Sequence, residues 1–450
     1  MSSALSSAGN VVSSSSSTYD RAGRIIASTD ATGAVTRYEY DAAGRTTAVI
    51  DALGNRTEQE YDTAGRQTLV RDALGRTTSF IYDALGRRVR TNFSDGTFTT
   101  VTYNELGQKI KETDQSGITK NYSYDNSGRL SGVVLPSVTD PESGNNPVNP
   151  VYSYSYDQYG RLSSITDPKG RQTSFSYDAL GRQLSRTLPM GQSESQAYNN
   201  LNQLSLKTDF KGQTTEFSYD NFGRLQSQLS TGAIPVTVSY SYDTLGRQHQ
   251  ITDARGVTEF SYDSDGRLIS VASPEGTINY EYDSLTGRKT RTWTNNSDVS
   301  YVYDRLGRLA NVTVNKRNGL TLSTPETTGY SYTKVGSRSA MELPNGVLTE
   351  YNYDNLNRLK SVSHFNSADT LLAGFTYTLS PNGRRTGIHE QRLETGNQYS
   401  NTDISFTYDR LNRLTQEEYV SSVAYLNYSN SYSYDLVGNR LQKSAQAFSL

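Results

Sequence analysis

The sequence predicts an all-β protein: one long antiparallel meander of β-hairpins wound into a large, curved, spiral sheet. Three observations predict it. A six-residue phrase, Y-D-x-x-G-R, recurs along the 450 residues, and its first five steps are each twenty-one residues long. Half a period later comes a second signal, D-x-x-G without the tyrosine. Between the two signals lie segments of six or seven residues rich in Thr, Val, Ile, Tyr and Ser, too short for useful helices and of ordinary strand length.

The phrase begins nineteen times between Tyr19 and Tyr434, Tyr377 among them, with degenerate copies at Tyr103, Tyr198 and Tyr332 and one extra residue in YDSLTGR at Tyr282. The repeat residues expected to carry the structure are exemplified by Tyr40, Asp41, Gly44 and Arg45; Tyr61, Asp62, Gly65 and Arg66; and Tyr82, Asp83, Gly86 and Arg87. Later copies supply Tyr177, Asp178, Gly181 and Arg182, then Tyr303, Asp304, Gly307 and Arg308. The second signal occurs at Asp30, Asp51, Asp72, Asp114, Asp167, Asp209 and Asp253. Both signals have the same turn chemistry. Asp in first position accepts from backbone amides, and Gly in fourth position takes the left-handed conformation of a bulged type I turn.

Two reversals per period predict about thirty-eight strands. In the resulting register Asp41 faces Arg45 and Tyr40 faces Thr46, the two pairs lying on opposite sides of the sheet. The residue facing the motif tyrosine is Leu or Ile in nine copies, among them Ile25, Leu130, Leu225 and Leu414. With Tyr38, Phe80 and Tyr122 two residues upstream, one face becomes an aromatic and aliphatic stripe, while Glu39 and Ser123 wet the other. Tyrosine outnumbers phenylalanine 34 to 12, as expected of rings with buried bodies and hydroxyls that reach water. A twisted sheet of so many strands cannot lie flat and must wind. Unpaired edges on such a ribbon predict aggregation or dependence on a partner.

Composition narrows the function. The apolar fraction of 34 % is too low for an ordinary single core. A net charge of −2 gives no reason to expect nucleic acid, and no run of residues is apolar enough to span a membrane as a helix. Cysteine is absent and there are three histidines, so thiolate and His-rich metal sites have no basis; neither a cofactor nor a metal is expected. The opening MSSALSSAGNVVSSSSSTYD has no basic and apolar signal regions, and residues 1–18 read as a Ser-rich flexible tail ahead of an array over 19–450. Spacer changes near 135–150, 315–328, 361–373 and 386–401 read as loop insertions, the first of them Pro- and Asn-rich. His249, His364 and His389 lie in different repeats with no shared motif, and Trp293 stands where a strand is expected. An aspartate repeated so often is scaffold, not a catalyst, and no enzyme is predicted.

Repeated Y-D-x-x-G-R-L with an intervening D-x-x-G turn resembles the Rhs/YD-repeat family of bacterial polymorphic toxins, insecticidal toxin-complex shells, wall-associated proteins and teneurins, from Tyr19 to the end. The resemblance implies a spiralling β-ribbon forming a hollow shell that encapsulates and helps deliver a C-terminal toxin, in a secreted or cell-surface protein. Its implied partners are its own C-terminal core and toxin domain and components of a secretion machine. The family's closing Asp-Pro-x-Gly-Leu cleavage signature is missing: DPKGR at Asp167 reads as a turn and DPESG at Asp140 as part of a loop, so the chain reads as a fragment. The alternative is a surface adhesion module whose tyrosine rows bind glycans.

Overall fold

Two chain reversals per repeat produce the predicted ribbon. The structure, a computed structural model, describes residues 2–5, 11–232, 234–422 and 427–448. Among them 39 strands form one sheet and two short strands form a separate hairpin. Within the large sheet, strands adjacent in sequence pair antiparallel, as in Val35–Tyr40 with Thr46–Ile50 and Thr46–Ile50 with Arg56–Tyr61. The sheet does not close on itself.

Most reversals are five-residue loops. Around Asp41 the two backbone bonds run from the Asp41 amide to the Arg45 carbonyl and from the Gly44 amide to the Asp41 carbonyl, both 3.0 Å. Gly44 sits at φ 84°, and Asn202, Asn357 and Asn412 take the same conformation where glycine is missing. The left-handed fourth residue matters more than the aspartate, because loops opening on Phe93, Leu188 and Leu343 close identically with Gly96, Gly191 and Gly346. Asp253 departs from the expected turn: it pairs directly with Gly256 in a tighter two-residue reversal, with Gly256 at φ 133°.

The register at the turn is the expected one, Tyr40 opposite Thr46, and beyond it Tyr38 lies opposite Val49. One residue further on, Glu39 pairs with Ala48, so Thr47 is a bulge. The same shift recurs in hairpins of the Y-D type, for example at Tyr61, Tyr177 and Tyr303. It is missing from the alternate reversal of the regular repeats, where Ala48, Val49 and Ile50 face Glu58, Thr57 and Arg56 in step, and reappears there in the lengthened hairpins, at Val314/Lys316 and His364/Phe365. Bulges bend and over-twist a strand, and bulges concentrated along one edge curve the ribbon mainly one way.

The ribbon therefore returns to itself. Arg76 Nη1 reaches the carbonyl of Asp354 at 3.3 Å across 278 residues, and Ser94 Oγ reaches that of Asn355 at 2.7 Å across 261. Most of the sheet remains a single layer. Its accessible surface is 26460 Å², against about 17,000 Å² for a compact chain of 49.8 kDa. Among the described residues the buried apolar side chains are few: Ala48, Val138 and the prolines Pro136 and Pro150.

Four expectations need correction. The Ser-rich opening, expected to be a flexible tail, contains strands Ser2–Leu5 and Val11–Tyr19, the second pairing with Ile25–Thr29 because the first tyrosine needs its own strand. Residues 1 and 6–10 lie outside the described ones. Three of the four insertions lengthen strands: Leu309–Arg317 pairs with Leu320–Tyr332, Leu359–Phe365 with Leu371–Leu379, and Arg385–Leu393 with Tyr399–Tyr408. Extra residues that keep the two-residue alternation extend a ladder more readily than they leave it. The fourth, at 135–150, contains the hairpin Val138–Asp140 with Asn146–Val148. Finally, Tyr377 does not open a loop: it pairs with Ile388, and Leu379 holds the motif position, facing Arg385, while the Ser380 hydroxyl accepts from the Arg384 amide in place of aspartate.

Replacing Gly75 by alanine tests the loop chemistry alone, because a Cβ there meets nothing within 4 Å yet φ is +81°. The expected cost is about 1–2 kcal/mol, read as a lower thermal midpoint, with Gly75→Asn closer to wild type.

Candidate functional surface: the Tyr–Asp–Arg edge and the seam between coils

The ribbon has two unlike edges. Along one run the Y-D turns, along the other the D-x-x-G turns. Each Y-D turn is locked internally: Asp41 Oδ1 accepts from the amides of Ala43 and Arg45, both at 2.9 Å, and Oδ2 accepts from Arg45 Nε at 2.6 Å. These contacts, led by the Arg45 amide, hold the Asp41 carboxyl below its ordinary value of 3.8. The amides of Arg66 and Arg87 do the same first for Asp62 and Asp83.

Arginine then leaves its own turn. Arg45 Nη1 donates to the carbonyl of Asp62 in the next repeat at 2.9 Å, and its guanidinium lies 4.9 Å from the centre of the Tyr61 ring. Tyr61 points back, donating its hydroxyl to the Thr46 carbonyl at 2.9 Å, beside the bulge. The same exchange joins Arg66 to Tyr82, Arg182 to Tyr198 and Arg308 to Tyr332, at 5.0, 4.6 and 4.5 Å. Tyr82, Tyr177 and Tyr303 donate to the carbonyls of Gln67, Leu162 and Lys289 at 2.7 to 2.9 Å. The expectation that these hydroxyls reach water is thus overturned: they satisfy backbone carbonyls of the preceding hairpin. Tyrosine exceeds phenylalanine for that reason, since a ring without the hydroxyl would leave an acceptor unpaired. The repeat residues singled out from the sequence are brought together between consecutive copies, a linkage hidden because the i, i+4 pair of Asp and Arg reads as a closed unit.

At the seam the two edges meet, D-x-x-G turns of the first coil against Y-D turns of the second. Arg358 lies 3.7 Å from Asp95, while Asn382 touches Ser116 and Asp114, both at 3.3 Å. In the copy at Tyr434 the arginine position holds Asn439, and Asp435, 3 % exposed, faces Lys169 of the first coil at 3.5 Å. Lys169 also holds Glu142 of the 135–150 hairpin at 2.7 Å, which gives that insertion a place beside the seam. A cavity of about 580 Å³ lies along this seam, with Val101, Ile118 and Leu135 on one side and Leu411 and Val437 on the other.

The histidines do not converge. His249 is 3.7 Å from Glu259, His364 Nδ1 is 2.9 Å from the Thr349 hydroxyl, and His389 is 2.8 Å from Asp403, each pair within neighbouring strands. Trp293 stacks under the Arg291 guanidinium at 4.8 Å. Among the described residues no group of three or more metal-ligating side chains is found, and no helix is long and apolar enough to cross a membrane.

Family comparison agrees with this geometry. The RHS repeat model matches residues 19–59, 61–97, 137–172 and 156–193, and the teneurin YD-shell model matches 195–323. A search of curated proteins finds no match. Among solved structures, the chain is similar to one in a crystal structure of TcdB2-TccC3-Cdc42, with 16 % identity and a TM-score of 0.68 over 93 % of this chain. It is likewise similar to one in a Photorhabdus luminescens Tc holotoxin pore, with 16 % identity and a TM-score of 0.69 over 94 % of this chain. The match covers 26 % of each of those chains, so this chain spans about a quarter of their length. The shared property is the fold.

Three outcomes follow from the edge chemistry. Tyr61→Phe lowers stability by about 1 kcal/mol, and in combination with Arg45→Met the two losses are non-additive in a double-mutant cycle, as groups in one network must be. The aspartates have folded values below their unfolded one, so their contribution is complete above the unfolded value and is lost as pH falls through the folded ones. Thermal midpoints therefore hold from neutral pH to about pH 5 and drop below about pH 4. Lys169→Met leaves Asp435 buried without its cation, and hydrogen exchange quickens at residues 435–439 while that at 40–66 is unchanged.

Proposed function

The chain belongs to the Rhs/YD-repeat family, and on that premise we propose that it forms part of the wall of a non-enzymatic shell that encloses a toxin attached to its C-terminal side and helps deliver it. The family models and the solved neighbours support a shell role. Encapsulation is the reading that gives the seam a purpose. A ribbon that served only to display side chains has no need to meet itself, whereas a wall must be continuous from coil to coil, and Arg76, Ser94, Lys169 and Arg358 supply that continuity. A wall of this kind separates a harmful chain from the producing cell until release. A secreted or surface location and a secretion-machine partner accompany this reading.

Glycan adhesion has less to stand on. Sugar stacking needs free aromatic faces, and the motif rings carry arginine over a face, as Tyr40, Tyr61 and Tyr82 do, with their hydroxyls already donated.

Limited proteolysis of the full gene product tests the proposal. The expected result is a C-terminal segment that survives at least about tenfold longer than the same segment expressed alone, and that loses this protection when Lys169→Glu and Arg358→Glu open the seam. A segment cut equally fast in the intact protein would remove encapsulation as the function.

A further inference from the structure

The second coil breaks the repeat where it touches the first. Of the twelve Y-D loops from Tyr19 to Tyr262, ten keep Y-D-x-x-G-R intact; of the seven from Tyr282 to Tyr434, on the edge that meets the first coil, only the one at Tyr303 does. The departures also differ in kind. In the first coil Asp and Arg are lost together, as Asn104 with Gln108 and Asn199 with Gln203, and the two amides still close each loop on itself at 2.7 and 2.8 Å. At three loops of the second coil the pair is split instead. Asn439 stands in for arginine and gives Asp435 an amide in place of a cation. Ser380 stands in for aspartate ahead of Arg384. At Tyr282 the added residue lets the Thr286 amide and hydroxyl take the Asp283 carboxylate, at 2.7 and 2.8 Å, and among the described residues Arg288 forms no ion pair.

The first-coil turns opposite are incomplete in the complementary way. Those at Asp72 and Asp167 hold their own arginines, Arg76 and Arg171, at 2.6 and 2.8 Å. Asp30 and Asp114 have Ala34 and Ile118 where that arginine would stand, and the turn opening on Phe93 carries its acid at Asp95. Each is met from the second coil. Arg288 lines a cavity of about 740 Å³ with Thr32, Gly33 and Ala34. The Thr32 hydroxyl first, and the Arg288 charge with it, hold the Asp30 carboxyl below its ordinary value of 3.8. Asp95 has Arg358 at 3.7 Å, and Asp114 Oδ2 accepts from Asn382 Nδ2 at 3.3 Å. At the far end the roles reverse: the complete turn at Asp167 lends Lys169, 3.5 Å from Asp435.

We propose that these split pairs fix the register in which the second coil fastens to the first. Identical loops along an edge fit the opposite edge equally well after a shift of one repeat, whereas a carboxylate and a cation without local partners fit at one place. Thirteen Y-D copies, from Tyr82 to Tyr353, lie between the turn at Asp72 and its partner at Asp354. A shift therefore makes a coil of twelve or fourteen hairpins and alters its width. It also carries Asp435, 3 % exposed, away from Lys169, and a buried charge without its partner is among the costliest of mismatches. Setting register is the best-attested use of such polar pairs. The choice is independent of what the shell encloses.

Cysteine pairs read the register, since the chain has no cysteine of its own. Ser94→Cys with Asn355→Cys reports the native one, in which Ser94 Oγ lies 2.7 Å from the Asn355 carbonyl. Ala73→Cys or Gln115→Cys with Asn355→Cys reports a shift of one repeat either way. In the otherwise wild-type chain the native pair is expected to oxidise in preference to both shifted ones. Ala34→Arg, Ile118→Arg and Asn439→Arg together give Asp30, Asp114 and Asp435 their own cations, as intact copies have, so the far-ultraviolet strand spectrum is kept. The native crosslink then falls while a shifted one rises, and their ratio changes by at least about fivefold. An unchanged ratio in the folded triple variant overturns the proposal. So does loss of the native crosslink with no shifted product, which would make the split pairs fasteners without a role in register. Where the triple variant loses its strand spectrum, the same criteria apply to Asn439→Arg alone, which alters a single loop.

Discussion

Everything in this protein depends on a five-residue loop with a left-handed fourth residue. The loop reverses the chain within the width of a hairpin, and in the regular repeats, as at Tyr40, the bulge just beyond it occurs at the Y-D reversal and not at the alternate one. That asymmetry has consequences larger than its size. A ribbon bulged along both edges would twist without a preferred direction of curvature. Bulged along one, it coils, and once it coils the two edges can meet.

The Y-D edge solves a problem that a single-layer sheet creates. With almost no buried apolar side chains, the fold cannot rely on a core, so each repeat must be tied to the next by the groups it exposes. Aspartate orders its own loop, arginine bridges forward to the next turn and ring, and tyrosine bonds backward to the carbonyl beside the bulge. No single link contributes much; exposed ion pairs and cation–π contacts are each worth about 1 kcal/mol or less. Their strength lies in repetition, since every link is shared by two neighbours, as in other quasi-one-dimensional arrays.

The seam uses the same parts differently. Where the motif arginine is replaced by Asn439, a lysine of the other coil stands opposite the aspartate, and Leu411 and Val437 of the second coil line a cavity with Val101 and Ile118 of the first. The edge chemistry that holds successive hairpins together thus doubles as the chemistry that holds coils together. The hairpin ladder and the seam between coils arise from one repeated phrase.

Strand lengths, turn positions, the pairing of Tyr40 with Thr46 and the need to wind were all legible in the sequence, because they depend on contacts within about ten residues and on a period that repetition makes unmistakable. The fate of the spacers was not: Pro and Asn near 135–150 and the irregular stretches after residue 315 suggest loops, yet alternation lets the latter extend the ladder. The hydroxyl of Tyr61 could not be placed either, since its acceptor, the Thr46 carbonyl, is exposed by a bulge that no residue type announces. Least legible was the seam. Arg76 and Asp354 meet across 278 residues only because small local curvatures add over many hairpins, and a sum of that kind is decided by the folded coil, not by any one repeat.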